Sequence, residues 1–124
     1  MRLKQITPFV LCSSLEKQIA FYTETLGFTL GFHADNYAFL RRDAAAIRLL
    51  GELGGVDLSV PERQNSFYID VEGLDALYAE LEPRLSQLAP GRVRPPFDQD
   101  YGQREFHVAD EDCTLVFFGE PVSG

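Results

Sequence analysis

The chain contains two copies of one residue pattern, and this repeat limits the folds available to it more than any other feature. Positions in the first copy recur 59 residues later with similar character. They are Val10, Cys12, Leu15, Ile19, Ala20 and Tyr22, matched by Ile69, Val71, Leu74, Tyr78, Ala79 and Leu81. A second match, at an offset of 68, joins Ile47–Glu52 to Leu115–Glu120. Two copies of one unit predict a paired architecture with a cleft between or beneath them.

Composition narrows the class of protein. A chain of 124 residues that is 45% hydrophobic can form one domain with its own core. The net charge of −8 disfavours nucleic acid and anionic membrane as partners, because both require a basic patch. It favours a cationic ligand or simply good solubility. Cys12 and Cys113 lack CxxC spacing, and the first residues lack a signal-peptide pattern, so we predict a cytoplasmic protein.

Hydrophobic spacing predicts the elements of each copy. The first copy is expected to have a strand (6–12), a helix that follows Ser14 and ends at Gly27, a hairpin (28–34 and 37–41) and a closing strand (45–50). The second is expected to have a strand (66–71), a helix from Leu74 to about Leu81 before Pro83, a polar stretch to Asp100, and a hairpin (104–109 and 114–120). The predicted boundaries are about 1–52 for module one, 53–64 for a linker and 65–124 for module two.

Three motifs carry a resemblance to a known family. They are Phe21-Tyr22 followed by Leu26-Gly27-Phe28, then Val71-Glu72-Gly73-Leu74-Asp75, and Tyr101-Gly102-Gln103-Arg104-Glu105-Phe106 before Asp110-Glu111-Asp112. In this order they resemble the vicinal oxygen chelate superfamily (glyoxalase, bleomycin resistance, dioxygenase), and most of all its small bleomycin-resistance binding proteins. The resemblance implies an α+β fold of two βαβββ modules forming a curved mixed-sheet cup. It also implies a homodimer with ligand crevices near the subunit interface.

The resemblance also places the positions that hold a metal in the enzymes of this family. Those enzymes use His, Gln or Glu from the first and last strands of each module. The corresponding residues here are Thr7, Leu49, Ser66 and Phe117. None supplies the imidazole, thiolate or carboxylate that a divalent transition metal prefers, and a shift of one residue along any strand supplies none either. We therefore predict no metal and no cofactor at these positions.

An enzyme remains the alternative. A metal-dependent glyoxalase-like lyase or an extradiol-type dioxygenase would need Glu52, Glu120 and His107 as unconventional ligands. His33 and His107 are each interpreted as structural histidines, because neither has a second histidine beside it. Glu52 and Glu120 are interpreted as solvated strand ends. On this basis no catalytic residue is assigned.

The predicted ligand site is an aromatic cup with carboxylates. Strand alternation turns Tyr68 and Asp70 to one face, with Phe117 and Leu49 expected to point inward across from them. The resemblance matches Tyr68 and Tyr101 to positions where binders of this family carry large aromatic side chains. The full set of predicted ligand-binding residues is Phe32, Tyr37, Tyr68, Asp70, Asp98, Tyr101 and Phe117. Such rings stack on planar heterocycles and attract cations.

The sequence thus predicts a metal-free protein that sequesters a planar, cationic aromatic compound. Bleomycin binders of the family tend to stack with tryptophan, and this chain has none. Together with Asp70, this departure points to a different or more cationic ligand than bleomycin. A dimeric scaffold or regulator with no ligand in its cup is a third hypothesis.

Overall fold

The computed structural model describes residues 1–51 and 65–122 and contains two mixed four-stranded sheets. The first module comprises β1 (Phe9–Leu11), α1 (Leu15–Ala20), a π-helical turn (Phe21–Thr25), β2 (Thr29–Ala34), β3 (Tyr37–Arg42) and β4 (Ala45–Leu50). The second comprises β5 (Ser66–Asp70), α2 (Leu74–Leu85), β6 (Val93–Asp98), β7 (Gln103–Ala109) and β8 (Leu115–Pro121). The predicted linker, 53–64, lies outside the described residues.

Strand order confirms the two βαβββ modules. The first sheet has the order β1-β4-β3-β2 and the second the order β5-β8-β7-β6. In each sheet the first strand pairs in parallel with the last, and the other pairs are antiparallel. The helix between the first two strands of each module provides the long connection that parallel pairing requires.

The first helix begins and ends as its sequence predicts, but its last turn differs. The Ser14 hydroxyl accepts a hydrogen bond from the Lys17 amide at 3.3 Å, and Gly27 ends the helix with φ +78°. Between them the α-helix widens into the π-helical turn. Phe21 and Tyr22 are both buried in the core there.

The second helix does not stop before Pro83, so the predicted end near Leu81 was wrong. α2 continues through Pro83 to Leu85. Proline inside a helix removes one backbone hydrogen bond and crowds the preceding turn. Leu81 and Leu85 lie one turn apart and are both buried, at 4% and 3% exposure. Burial of Leu85 offsets the cost of the proline.

The polar stretch before Asp100 contains a strand that hydrophobic spacing did not predict. Among the described strands, β6 pairs only with β7 and so forms an edge of the second sheet. Its register shifts between Arg94 and Phe97, where Pro95 and Pro96 lie. Proline cannot donate to a neighbouring strand, so it is tolerated at such an irregular edge.

A buried carboxylate joins the two modules. Asp110, in the turn between β7 and β8, accepts a hydrogen bond from the Tyr22 hydroxyl of module one at 2.7 Å. It also accepts the backbone amides of Asp112 and Thr114 at 2.8 and 3.0 Å. Burial raises the pKa of Asp110, and these hydrogen bonds oppose that rise.

Removing the Tyr22 hydroxyl should therefore destabilise the protein. Tyr22→Phe leaves one oxygen of the buried Asp110 carboxylate without its donor, which we expect to lower the free energy of unfolding by about 1 to 3 kcal/mol. Urea denaturation at neutral pH measures the change. Tyr78→Phe is the matched control, because no hydrogen bond from the Tyr78 hydroxyl is found among the described residues. Equal effects of the two substitutions would contradict a joining role for Asp110.

Among the residues that the structure describes, no helix combines the length and apolar composition needed to cross a bilayer.

Candidate functional site

The two faces of the second sheet have different chemistry. Phe106, Val108, Val116 and Phe118 are buried against the helices. The alternating residues face away from the helices. Five of the side chains on and beside that second face form what we call the aromatic cluster: Tyr68, Phe97, Tyr101, His107 and Phe117.

Short distances connect the rings of the aromatic cluster. Ring centroids are 6.0 Å apart for Tyr68 and Phe117 and 3.9 Å apart for Phe117 and His107. Phe97 meets the edge of His107 at 5.1 Å. Tyr68 and Tyr101 remain 38% and 59% exposed, so their faces are open to a ligand. Three of the seven predicted site residues, Tyr68, Tyr101 and Phe117, thus lie in one region.

A carboxylate that the sequence analysis did not select lies at the base of this cluster. The Glu105 side chain is fully buried. Its oxygens accept hydrogen bonds from the Tyr101 hydroxyl at 2.6 Å and from the Gln99 amide at 3.0 Å, and one lies 2.8 Å from His107 Nε2. A signal was available, because Gln103, Glu105 and His107 occupy alternate positions of one strand and so share one face of it.

The hydrogen bonds decide the charge of Glu105. Burial raises the pKa of this carboxyl, but hydrogen bonds from Tyr101, His107, Gln99 and Tyr68 outweigh burial and lower the pKa to about 2. In turn, the hydrogen bond to Glu105, followed by desolvation, raises the pKa of Tyr101 to about 12. At neutral pH Glu105 is therefore a charged carboxylate beneath neutral tyrosines.

Gly119 makes room for Tyr68. The Tyr68 hydroxyl accepts a hydrogen bond from the Gln103 amide at 2.8 Å, across the neighbouring strand β8. A Cβ at Gly119 would overlap that hydroxyl and lie 2.5 Å from Cζ of the same ring. Only glycine at this position allows the Tyr68 ring to lie where it does.

The first sheet has an aromatic face of the opposite charge. Phe32 and Tyr37 lie 6.0 Å apart between ring centroids, and Arg48 donates a hydrogen bond to the Tyr37 hydroxyl. Arg41 and Arg48 lie over the Phe39 ring at 5.5 and 5.1 Å. No described contact joins this set to the aromatic cluster within one chain. The sequence analysis named Phe32 and Tyr37 but did not anticipate the arginines.

The two predicted aspartates have different surroundings: Asp98 is held by an arginine, whereas Asp70 lines a pocket together with Tyr68. Asp98 accepts a hydrogen bond from Arg104 at 3.0 Å, and Arg104 also binds Asp75 of α2 at 3.2 Å. The charge of Asp98 is therefore already paired with that of Arg104. Asp70 ends β5, is exposed, and borders a pocket shared with module one.

The predicted inward position of Leu49 was wrong. Leu49 pairs with Val10, and both side chains are buried in the core on the helix side. Phe9 pairs with Arg48, whereas Tyr68 pairs with Phe117. Arg48 is therefore the counterpart of Phe117, one residue from the position expected. A guanidinium is no better a metal ligand than leucine.

Two of the residues that an enzyme would have needed, Glu120 and His107, are separated. Both carboxylate oxygens of Glu120 accept backbone amides at the start of α2, from Gly73 at 3.0 Å and Leu74 at 2.9 Å. Glu120 is thus a helix cap rather than a solvated strand end. His107 lies on the opposite face of the sheet, and Glu52 lies outside the described residues. Within residues 1–51 and 65–122, no group of three or more His, Cys, Asp or Glu residues could hold a metal ion.

Comparison with known proteins defines the class. The chain matches the Glyoxalase/Bleomycin resistance protein/Dioxygenase superfamily over residues 2–117. This chain belongs to that superfamily, which confirms the resemblance seen in its motifs.

Two kinds of relative show what the fold can accommodate. A bleomycin resistance protein from Geobacillus stearothermophilus is 32% identical over 95% of this chain and 97% of its own. The bleomycin-binding protein of Streptomyces verticillus, complexed with copper(II)-bleomycin, has a TM-score of 0.78 at 22% identity, covering 100% of this chain and 98% of that one. A lactoylglutathione lyase from Agrobacterium tumefaciens has a TM-score of 0.69 at 18% identity, covering 97% and 96%. Because binders and a lyase share the fold, the side chains must distinguish them.

Proposed function

We propose that this protein is a metal-free binding protein that sequesters a planar, cationic aromatic compound, one molecule for each site, without turnover. The observation that carries the proposal is the aromatic cluster with the charged Glu105 carboxylate at its base. The names of the relatives support the same class of activity, since the similar proteins are bleomycin resistance and bleomycin-binding proteins.

The geometry favours a flat cation for electrostatic reasons. The faces of aromatic rings are electron-rich and attract positive charge. Glu105 adds a full negative charge behind those rings without contacting the ligand, because its side chain is buried. The same charge would repel an anion. Planarity follows from the exposed faces of Tyr68 and Tyr101, which are available for stacking.

Titration of the wild-type protein tests the proposal. We expect a planar aromatic cation such as methylacridinium to bind in calorimetry with a stoichiometry of at most one per chain, and an anionic aromatic of similar size to bind at least tenfold more weakly. Bleomycin is included in the same panel. Prior treatment with a chelator should leave affinity and melting temperature unchanged, because Thr7, Arg48, Ser66 and Phe117 offer no metal ligand set.

Two results would contradict the proposal. Binding that disappears on chelation and returns with zinc, nickel or iron would indicate the enzyme alternative. No binding by any planar aromatic cation would favour the scaffold hypothesis.

We also propose that the protein acts as a homodimer. Phe9 and Phe32, on the arginine-bearing first sheet, are 63% and 56% exposed. Symmetric pairing can cover such surfaces. The arginine-bearing face of the first sheet in one chain also complements the Glu105 charge behind the aromatic cluster of another. In such a dimer, Phe32 and Tyr37 of one subunit would complete the ligand site formed by the aromatic cluster of the other subunit.

Sedimentation tests the dimer directly. At micromolar concentration we expect a species of twice the chain mass, and Phe32→Glu should shift it toward the monomer because it replaces an exposed apolar ring of the proposed contact surface with a charge. Glu16→Gln, at an exposed position of α1, is the control that should leave the mass unchanged. A wild-type monomer at this concentration would refute the arrangement.

A further inference from the structure

A pocket of about 670 Å³ lies between the two modules, apart from the aromatic cluster. The turn between β3 and β4 forms one wall, and the end of β5 with the start of α2 forms the other. Its volume is in the range of pockets that hold small organic molecules. No member of the aromatic cluster lines it.

The floor of the pocket is apolar. Leu26, Phe28 and Phe118 belong to the buried core and reach the pocket from below, while Ile69 and Leu77 are half-buried beside them. Phe118 lies on the helix side of β8, opposite in direction to its neighbour Phe117. The pocket therefore offers a hydrophobic surface continuous with the core, on the other side of the second sheet from the aromatic cluster.

The rim of the pocket is acidic. Asp43, Asp70 and Glu72 line it, and none of the three has a hydrogen bond or ion pair with any residue that the structure describes. The three come from two modules, so the fold rather than the local sequence brings them to one opening. Their charges attract a cation at the mouth of an apolar floor.

The positive groups at this rim are already occupied. Arg42 donates one hydrogen bond to the Leu26 carbonyl at 3.1 Å and forms an ion pair with Glu80 at 2.6 Å. The backbone amides of Gly73 and Leu74 at the start of α2 would otherwise attract an anion, but they already donate hydrogen bonds to Glu120. An anionic ligand would therefore meet an arginine whose charge is already paired with Glu80 and two amides that Glu120 already binds.

We infer that this inter-module pocket is a second binding site, selective for a hydrophobic amine in its protonated form. The ammonium group lies at the carboxylate rim and the apolar part lies on the core floor. The site is independent of the function proposed for the aromatic cluster, since it shares no residue with it. It would allow the protein to bind an amphipathic cation that is not planar.

Three isosteric probes test the charge requirement. They are 3,3-diphenylpropylamine, 3,3-diphenylpropanol and 3,3-diphenylpropionate, titrated into wild-type protein and followed by amide chemical shifts. The amine should shift residues of the β3–β4 turn and the start of α2, and should bind roughly three- to tenfold tighter than the alcohol, as expected for exposed charge pairs. The carboxylate should bind most weakly.

Variants locate the site. Asp70→Asn with Glu72→Gln should remove the preference for the amine, and Ala76→Phe should fill the pocket and weaken both amine and alcohol. Glu82→Gln, an exposed position of α2 outside the pocket, is the matched control. Tyr68→Ala should leave binding of the diphenyl amine unchanged. If Ala76→Phe does not fold, the chemical shifts and the double variant still decide.

Three outcomes would overturn the inference. The first is no binding of the amine. The second is equal binding of amine, alcohol and carboxylate. The third is binding that Tyr68→Ala abolishes and the rim substitutions leave intact, which would place the amine in the aromatic cluster. Failure of a planar cation to bind would leave this site unaffected, so the two proposals fail separately.

Discussion

Replacing Glu105 with Gln is expected to lower the free energy of unfolding at pH 7 by about 2 to 3 kcal/mol, because a buried carboxylate with charge-assisted hydrogen bonds is lost. Gln keeps the shape of the side chain, but an NH2 group replaces one of the two oxygens, so Gln can accept at only one of the two positions that face Tyr101 and Gln99. Urea denaturation measures the change. Glu16→Gln, at an exposed position, is the control and should change stability little.

The pH dependence gives this prediction a second readout. The pKa of Glu105 in the folded protein is about 2, below its ordinary value of 4.5. The unfolded state therefore binds the proton more readily, so the stabilisation is fully present above about pH 4.5 and is lost as the pH falls toward 2. The difference between wild type and Glu105→Gln should accordingly be largest at neutral pH and shrink in acid. Asp110 is common to both proteins, so its own titration largely cancels.

A constant difference across this pH range would show that Glu105 is not held as a buried carboxylate. Binding gives an independent check. Glu105→Gln should also weaken a planar cation, because it removes the negative charge behind the rings. A variant that is destabilised but binds the cation as wild type does would mean that Glu105 supports the fold without contributing to the ligand site.

Replacing Tyr68 with Ala is expected to weaken binding of a planar cation by about 1 to 3 kcal/mol, since both stacking and contact area are lost. Calorimetry at fixed salt concentration measures it. Tyr68→Phe should have a smaller effect, because it removes only the hydroxyl that accepts from Gln103.

Gly119→Ala tests the same position without altering the ring. The added Cβ overlaps the Tyr68 hydroxyl, so the ring must move and binding should weaken nearly as much as in Tyr68→Ala. The double variant with both Tyr68→Ala and Gly119→Ala should bind no more weakly than Tyr68→Ala alone, because it has no Tyr68 ring for the added Cβ to displace. Wild-type affinity in Tyr68→Ala would place the ligand elsewhere. Additive losses would mean that Gly119 acts by another route.

Much of the fold could be predicted because it depends on local patterns. The repeat at an offset of 59 identified the first strand and helix of each module, and alternation identified the hairpins. Gly27 ended the first helix as expected, because its left-handed φ is easily adopted only by glycine. The predicted strand Ala45–Leu50 has the bounds found in the structure.

The failures occurred where tertiary contacts overrode those patterns. Pro83 lies inside a helix because burial of Leu85 compensates for the lost hydrogen bond. Pro95 and Pro96 lie in a strand because that strand is an edge. Leu49 was assigned to the wrong face because a slip of one residue reverses every side chain of a strand, and only the pairing of Val10 with Leu49 defines the register.

The candidate site divides in the same way. The family and the two modules could be read from the motifs and the repeat, and Tyr68, Tyr101 and Phe117 were selected by strand alternation and by resemblance to the family. Only the tertiary structure decided that Glu105 lies buried beneath them, that Arg104 neutralises Asp98, and that Glu120 caps a helix. An Asp or Glu looks the same in the sequence whatever its role. Its charge and function depend on which hydrogen-bond donors and which neighbours the folded chain places around its carboxylate.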